Sequence, residues 1–293
     1  MRQPMLFVVV VVLGCVFVST RAHGQWLNFP TPGTPRTPDG KPNLAAPAPR
    51  TVDGKPDLSG VWQHEQTTID ELKRLFGPLV TAEEKTSVPG MELDSVHKYA
   101  VSILAGFKPE DVTMRPEGLE AFKRSLAQRD AARVCADPPT FPLAGLLSEP
   151  IKIVQAPRTT IVLYEAGNLH RQIFTDGRAL PKDVNFPAFL GYSVGHWEKD
   201  VFIVDTNGFN DKSQLDVIGH PRSESLHVTE RFRRIDFGHL DMEVTFDDPK
   251  MYTKPFTIKI PHTLMADADI FESFCENERD REHLQKANPR APQ

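Results

Sequence analysis

The residue types best suited to chemistry fall in one stretch of the chain, residues 149–261, where carboxylates, arginines and a histidine recur at short intervals. We take as candidate ligand-binding residues Glu165, His170, Arg171, Asp176, Arg178, Trp197, Glu198, Asp205, Glu230 and Arg231. Carboxylates and imidazoles within reach of one pocket would support acid–base chemistry. At strand spacing the same residue types also form cross-strand ion pairs, which imitate active sites. We therefore weigh structural ion pairing above a functional cluster.

The chain lacks the short sequence motifs that are diagnostic of known catalytic mechanisms and cofactor sites. It contains no Gly-x-Ser-x-Gly, His-Glu-x-x-His, P-loop or dinucleotide fingerprint. Its 10 histidines occur singly, and no Cys-x-x-Cys is present. We therefore expect no cofactor and no metal site, so that an enzyme of this sequence would work by carboxylate or histidine acid–base chemistry alone.

Two hairpins set the expected faces around Glu230 and Arg171. If residues 237–239 form a three-residue turn with Gly238 in the left-handed region, Phe232 pairs with Val244. The apolar face then carries Leu226, Val228, Phe232, Met242, Val244 and Phe246, together with Glu230 and, nearer the rim, Arg234. A carboxylate on such a face must be paired or have a raised pKa, so Glu230 stands out.

The second hairpin turns at Gly167-Asn168. Read as a two-residue turn, it pairs Glu165 with His170 and Tyr164 with Arg171. Both faces of this hairpin carry apolar residues, so the sequence leaves open which one is interior. A third hairpin turns at 198–200, and the polar loop 207–221 that follows the next strand is long enough to shape a binding mouth.

These hairpins belong to a series of short segments rich in Val, Ile, Phe, Thr and Tyr, each bounded by Gly, Pro, Asn or Asp. The segments are EPIKIVQAP, TTIVLYEAG, NLHRQIFTDG, GYSVGHWE, DVFIVDTNGF, LHVTERFRRID, HLDMEVTFDD and PFTIKIP, and LSGVW precedes them. We predict a mainly β fold, an antiparallel meander that closes as a lipocalin-like barrel, with a two-sheet sandwich as the alternative. Between residues 67 and 133 the apolar period changes to three and four, which predicts an α-helical insert that covers one mouth or edge of the sheet. Thr68 to Glu71 is a capping box and Pro116 suits a first helical turn.

The N-terminus predicts export. Residues 1–24 have an early arginine, an apolar run and small residues before a cleavage site after Gly24, as in a secretory signal peptide. Cys15 lies inside the apolar run, which disfavours a lipoprotein anchor there. Residues 25–57 are Pro-rich, with the near-repeats TPDGKPNL and TVDGKPDL, and we interpret them as a tether to a single domain at 58–293. We expect a periplasmic or extracellular protein with no membrane span after processing.

The net charge limits the classes of partner that this protein can bind, and the cysteine content indicates whether it contains a disulfide. Loss of residues 1–24 would take the formal charge from −5 to −7, which argues against a nucleic-acid partner. Cleavage also leaves two cysteines, Cys135 and Cys275, on either side of the strand series. An even count in an exported protein favours a disulfide between them. The sequence gives no oligomeric state.

The ordered motifs resemble a group of exported, uncharacterised bacterial proteins that open with a DGKPDLSGVW-like stretch and carry a WEGDTLVVDT-like hairpin. The matching segments are LSGVW, TDGR at 175–178, GHWEKDVFIVDTNGF and LHVTERFRR. Lys199 stands where that hairpin has Gly, and Cys275 is followed by Glu-Asn where members have His-Glu. The resemblance implies motif positions and a fold, and it implies no activity.

Three functions agree with these observations. The first is an exported protein that binds a small amphipathic or hydrophobic ligand in the barrel, oriented by Glu230 and Arg171. The second is a cofactor-independent envelope enzyme, a hydrolase, lyase or isomerase, with Glu230 and His170 or Arg171 at one pocket. The third is a structural or interaction protein of the envelope. The barrel fold alone does not choose among them.

Overall fold

The alternating segments form strands in a computed structural model of the chain, which describes residues 30–77, 97–127, 141–147 and 149–271. The strands are β1 Gly60–His64, β2 Ile151–Ala156, β3 Thr159–Tyr164, β4 Leu169–Phe174, β5 Tyr192–Glu198, β6 Val201–Asn207, β7 His227–Arg234, β8 His239–Asp247 and β9 Phe256–Leu264. Each segment of the predicted series becomes one strand. The predicted signal peptide and both cysteines of the predicted disulfide lie outside the described residues, so these stay predictions.

The nine strands close into a barrel in chain order, because β1 pairs with both β2 and β9. The predicted mainly β barrel is therefore confirmed in preference to the sandwich. Strand directions cannot alternate all the way around a closed ring with an odd number of strands, so one neighbouring pair must be parallel. That pair is β4–β5, joined in register at Ile173–Ser193 and Phe174–Val194 after the long connection 175–191. The other eight pairings are antiparallel.

Three described helices follow β1, within the predicted insert. They are α1 Ile69–Phe76, α2 Lys98–Val101 and α3 Pro116–Ala127. The Oγ1 atom of Thr68 accepts a hydrogen bond from the Glu71 backbone at 3.3 Å, which is the expected N-cap. Along α3, Leu119 and Leu126 of the apolar spacing are exposed, whereas Phe122 stacks on His220 at 4.7 Å.

The insert covers one mouth of the barrel, at the end where β6 leads into β7 and β8 leads into β9. The Ala100 carbonyl accepts from the Val217 backbone at 2.9 Å, and the Arg115 backbone donates to the Met251 carbonyl at 2.8 Å. We call this end the helical mouth. Among the described residues, no helix has the length and apolar character needed to span a bilayer.

The two near-repeats at the N-terminus adopt the same turn. Gly40 and Gly54 have φ of 81° and 78°, as the Asp-Gly-Lys-Pro turn chemistry requires. In each repeat an arginine holds the carbonyl of that glycine and reaches a carboxylate further along the chain. Arg36 contacts Asp267 at 2.6 Å, and Arg50 contacts Asp200 at 2.7 Å. The described part of 25–57 therefore contacts the barrel at its other mouth, near the 199–200 turn.

Two predicted registers are wrong by two positions. Phe232 pairs with Met242 and not with Val244, because the three-residue turn lies one position earlier, at 236–238, where Ile235 donates to the His239 carbonyl at 2.9 Å. Gly238 does not adopt positive φ. It is required because any Cβ there would collide with Leu44. An even shift keeps every side chain on its expected face.

The β3–β4 register is wrong by the same amount. Tyr164 pairs with Leu169 and not with Arg171, and Glu165 is not paired with His170. The cause is a 3₁₀ turn at Ala166–Asn168, which makes the connection longer than two residues. The structure also answers the question that the sequence left open. Tyr164 and Arg171 are buried in the lumen, whereas His170 is exposed on the outer face.

Candidate functional site

The lumen contains a buried ion pair, formed by two of the candidate residues. Arg171 points inward from β4 and Glu230 points inward from β7, because each alternates with apolar lumen residues along its strand. The Nη2 atom of Arg171 donates to Glu230 Oε2 at 2.5 Å, and each side chain is 2% exposed. We call this contact the lumen pair.

The pair is incompletely satisfied. Among the described residues, the Nε and Nη1 atoms of Arg171 are buried and have no hydrogen-bond acceptor. The guanidinium lies 4.4 Å from the ring centroid of Phe141, a favourable cation–π distance that supplies no hydrogen bond. Burial raises the pKa of Glu230, and the charge of Arg171 partly offsets this increase.

Next to the lumen pair is a small cavity. Its volume is about 20 Å³, and its lining combines Glu230 and the Tyr164 ring with apolar side chains. Burial raises the pKa of Tyr164 to about 12, so this hydroxyl stays protonated at neutral pH. A space of this size holds about one water molecule. Side chains therefore fill most of the lumen, and any larger ligand must displace part of the lining.

One part of that lining does not belong to the barrel. Residues 141–147, which we call the cap, contribute Phe141, Pro142, Gly145 and Leu146 to the cavity wall. The cap lies at the helical mouth and contains only a short 3₁₀ turn. Three hydrogen bonds between described residues fasten it from outside: Arg222 Nη1 to the Phe141 carbonyl at 3.0 Å, the His97 backbone to the Leu146 carbonyl at 3.3 Å, and His64 Nε2 to the Leu147 carbonyl at 2.5 Å.

The other candidates do not join the lumen pair. Trp197 faces the lumen near the 199–200 turn, half-buried, with its ring 5.1 Å from that of Phe202. Glu165 lies in the turn after β3, where it accepts from the Phe271 backbone at 2.8 Å. His170 is exposed on the outer face of β4 and so is separated from Glu230 by the barrel wall.

The remaining five candidates form separate contacts outside the lumen. Asp176 and Arg178 pair at 2.6 Å after β4, and this contact lowers the pKa of Asp176 to about 2. Glu198 and Arg231 lie 3.6 Å apart on the outer surface. Asp205 also faces outward and accepts from Thr229 at 2.8 Å. The structure thus brings together Arg171 and Glu230 and places the rest at several distinct positions.

Sequence reasoning missed a group of buried histidines at the helical mouth. His64, His97 and His262 are all buried, and we call them the histidine cluster. A signal was present for two of them: His64 alternates with Trp62, and His262 alternates with Ile258 and Ile260, so period two places both in the lumen. His97 gave no such signal because it precedes a helix of the insert.

A second missed feature is Asp216, a fully buried carboxylate in the loop between β6 and β7. Its Oδ1 accepts from the Gly219 and His220 backbones at 2.8 and 3.0 Å. Its Oδ2 accepts from the Ile103 backbone at 2.5 Å and from His220 Nδ1. One carboxylate therefore ties the helical insert to the strand connections.

Comparisons with known proteins identify no relative. No protein-family model, no curated protein and no solved structure matches the chain. Any function must therefore be inferred from the residues of the site itself.

Proposed function

We propose that this protein is an exported binding protein that takes a small, mainly apolar molecule into the lumen beneath the cap. The observation that carries the proposal is the buried Arg171, whose Nε and Nη1 atoms lack an acceptor among the described residues. An unsatisfied buried donor costs about 1–3 kcal/mol, and more when the group is charged. An apolar pair of similar volume would fill the barrel at lower cost, so the presence of a buried cation suggests a function.

The charge of the site favours a neutral ligand. Arg171 and Glu230 neutralise each other at 2.5 Å, so a ligand carboxylate would add an unbalanced negative charge to a buried site. A carbonyl or ether oxygen would accept from Arg171 without that cost. The surrounding lining, which includes Ile151, Val162 and Met242, suits an apolar body.

Binding requires the cap to move. The cavity of about 20 Å³ is far below the several hundred Å³ that a typical small-molecule site occupies. The barrel wall is held by continuous strand pairing, whereas three hydrogen bonds between described residues, together with apolar contacts, hold the cap. Displacement of Phe141, Pro142 and Leu146 would enlarge the cavity without breaking a strand ladder.

Native mass spectrometry of protein purified from its own host tests the proposal. We expect a bound species of fixed added mass on the wild type, lost in the Arg171→Met, Glu230→Leu double variant. The matched control is the exposed pair Arg233–Asp241, 3.0 Å apart on neighbouring strands. Its Arg233→Met, Asp241→Leu variant should retain the added mass. Protein without any added mass, or a mass equally present in both variants, would contradict binding at the lumen pair.

Probes of equal length test the class of ligand. Titration calorimetry with 2-octanone and with octanoate should show tighter binding of the ketone, and Arg171→Met should remove the difference. Tighter binding of octanoate would contradict the charge argument while leaving lumen binding in place.

A further inference from the structure

The histidine cluster joins the barrel wall to the helical insert. His64 ends β1 and His262 lies directly opposite it on β9, with ring centroids 6.5 Å apart. His97 precedes α2, and its ring is 5.6 Å from that of His64, edge to face. All three side chains are buried. Histidine is the side chain whose ordinary pKa lies closest to neutral pH, so a group of buried imidazoles is suited to respond to acid.

The hydrogen bonds of the cluster suit neutral rings at two of its three members. His97 Nδ1 accepts from the Tyr99 backbone at 3.3 Å and so caps α2, a role that a proton on Nδ1 would abolish. His262 Nδ1 donates to the Ile260 carbonyl at 2.9 Å, and its Nε2 is buried with no partner among the described residues. A proton added to that Nε2 would have no acceptor. His64 faces carbonyl oxygens with both nitrogens, at Glu65 and Leu147.

Two of the three bonds that fasten the cap come from this cluster. His64 Nε2 holds the Leu147 carbonyl, and the His97 backbone holds the Leu146 carbonyl. We propose that the histidine cluster is an acid-sensitive clamp, which holds the cap over the lumen when the rings of His97 and His262 are neutral and releases it when these two rings become charged. The clamp holds whatever the lumen binds, so it does not depend on the identity of a ligand.

The other charged groups at the cluster favour the same behaviour. Lys98 and Tyr99 follow His97 at the start of α2, and the Lys98 ammonium contacts Glu71 of α1 at 2.7 Å. Glu65 follows His64 on β1 and presents its backbone carbonyl to the ring. Because the carboxylate of Glu71 is engaged by Lys98, no described carboxylate makes a contact that would stabilise a charged His97 or His262.

Burial sets the direction of the titration. Burial lowers the pKa of His97 to about 3, with further lowering by the charges of His64 and Lys98. Burial and His64 likewise lower the pKa of His262 to about 3. In an opened state with ordinary pKa values near 6.5, both rings take up protons that the closed state excludes. Two extra protons make the opening constant rise about 100-fold per pH unit below about pH 6.

Hydrogen exchange between pH 6.5 and 4.5, corrected for intrinsic exchange rates, measures the equilibrium constant for opening of the cap. The reporters of opening are the amides of Ala100, Gly145 and Leu146, whose hydrogen bonds lie in α2 and the cap. The amides of β7 and β8 report global unfolding. We expect steep acid-dependent opening at the first set while the second stays protected.

Matched variants separate the clamp from general acid unfolding. His97→Asn keeps an N-cap acceptor without a titrating ring. It should reduce the pH dependence of the opening constant to about tenfold per pH unit. His97→Asn with His262→Leu should remove it. His196→Gln, on an exposed side chain of the outer face, should leave it unchanged. Equal acid dependence at the cap and at β7–β8, or an unchanged dependence in His97→Asn, would overturn the proposal.

Discussion

At the scale of single residues, each charge of the lumen pair depends on the other, because either one alone would be buried without a partner. Arg171 and Glu230 are both 2% exposed, so neither can be solvated if the other is removed. The exposed pair Arg233–Asp241 differs in this respect, because water replaces a lost partner there. Burial, rather than the presence of opposite charges, is what makes the lumen pair distinctive.

Replacement of Glu230 alone should therefore destabilise the protein strongly. We expect Glu230→Leu to lower the free energy of unfolding by about 3–5 kcal/mol, because it leaves Arg171 buried and unpaired. The double variant Arg171→Met, Glu230→Leu should recover most of that loss. Urea denaturation of the two single variants and the double variant measures this coupling. Additive losses in the cycle would show that the two residues do not act as a pair.

A second residue-scale prediction concerns the 199–200 turn. Lys199 has φ of 55°, a left-handed conformation that costs a non-glycine residue about 1–2 kcal/mol. Lys199→Gly relieves this strain and adds chain entropy to the unfolded state, so we expect a net gain of about 0.5–1 kcal/mol. Thermal unfolding measures the gain. Lys212→Gly, at a loop position without positive φ, should instead lose stability, and a gain at both positions would contradict the strain argument.

At the scale of elements, strand faces could be predicted from the sequence, but registers could not. Period-two alternation identified the lumen face of β7 and β8, including Glu230, because burial selects one face. The turn positions were misjudged because Gly238 allows the close approach of Leu44, a tertiary contact that local turn rules do not contain. The cap was not predicted, since Phe141 and Leu146 have no periodic pattern and lie over the lumen through contacts distant in sequence.

The link between the insert and the barrel depends on Asp216. Asp216→Asn replaces one acceptor oxygen by a donor, so one or two of its bonds from backbone N–H groups are lost, depending on how the amide turns. We expect a loss of about 3 kcal/mol in the free energy of unfolding. Urea denaturation followed by tryptophan fluorescence measures it. Asp211→Asn, on an exposed side of the same loop, is the control and should change stability by less than about 0.5 kcal/mol.

At the scale of the whole molecule, the histidine cluster predicts loss of stability in mild acid. His97 and His262 have pKa values of about 3 in the folded state against 6.5 when exposed. Their neutral-state contribution is therefore complete above about pH 6.5 and is lost as the pH falls toward 3. Each histidine should remove up to about 1.4 kcal/mol per pH unit within that window.

The difference between wild type and the His97→Asn, His262→Leu variant isolates this effect, because other titrating groups are common to both proteins. The free energies of unfolding of the two proteins, measured at pH 7.0, 6.0 and 5.0, should converge as the pH falls, because the wild type loses more stability than the variant. Parallel curves would contradict the assignment of buried neutral rings.

We propose, above all, that the lumen beneath the cap is a binding site for a neutral apolar molecule. The most direct test of this claim is a crystal structure of the protein isolated from its own host. We predict a bound molecule with an oxygen within hydrogen-bond distance of Arg171 Nε or Nη1, and residues 141–147 displaced from the closed position. A closed cap over a lumen occupied only by water would contradict the claim.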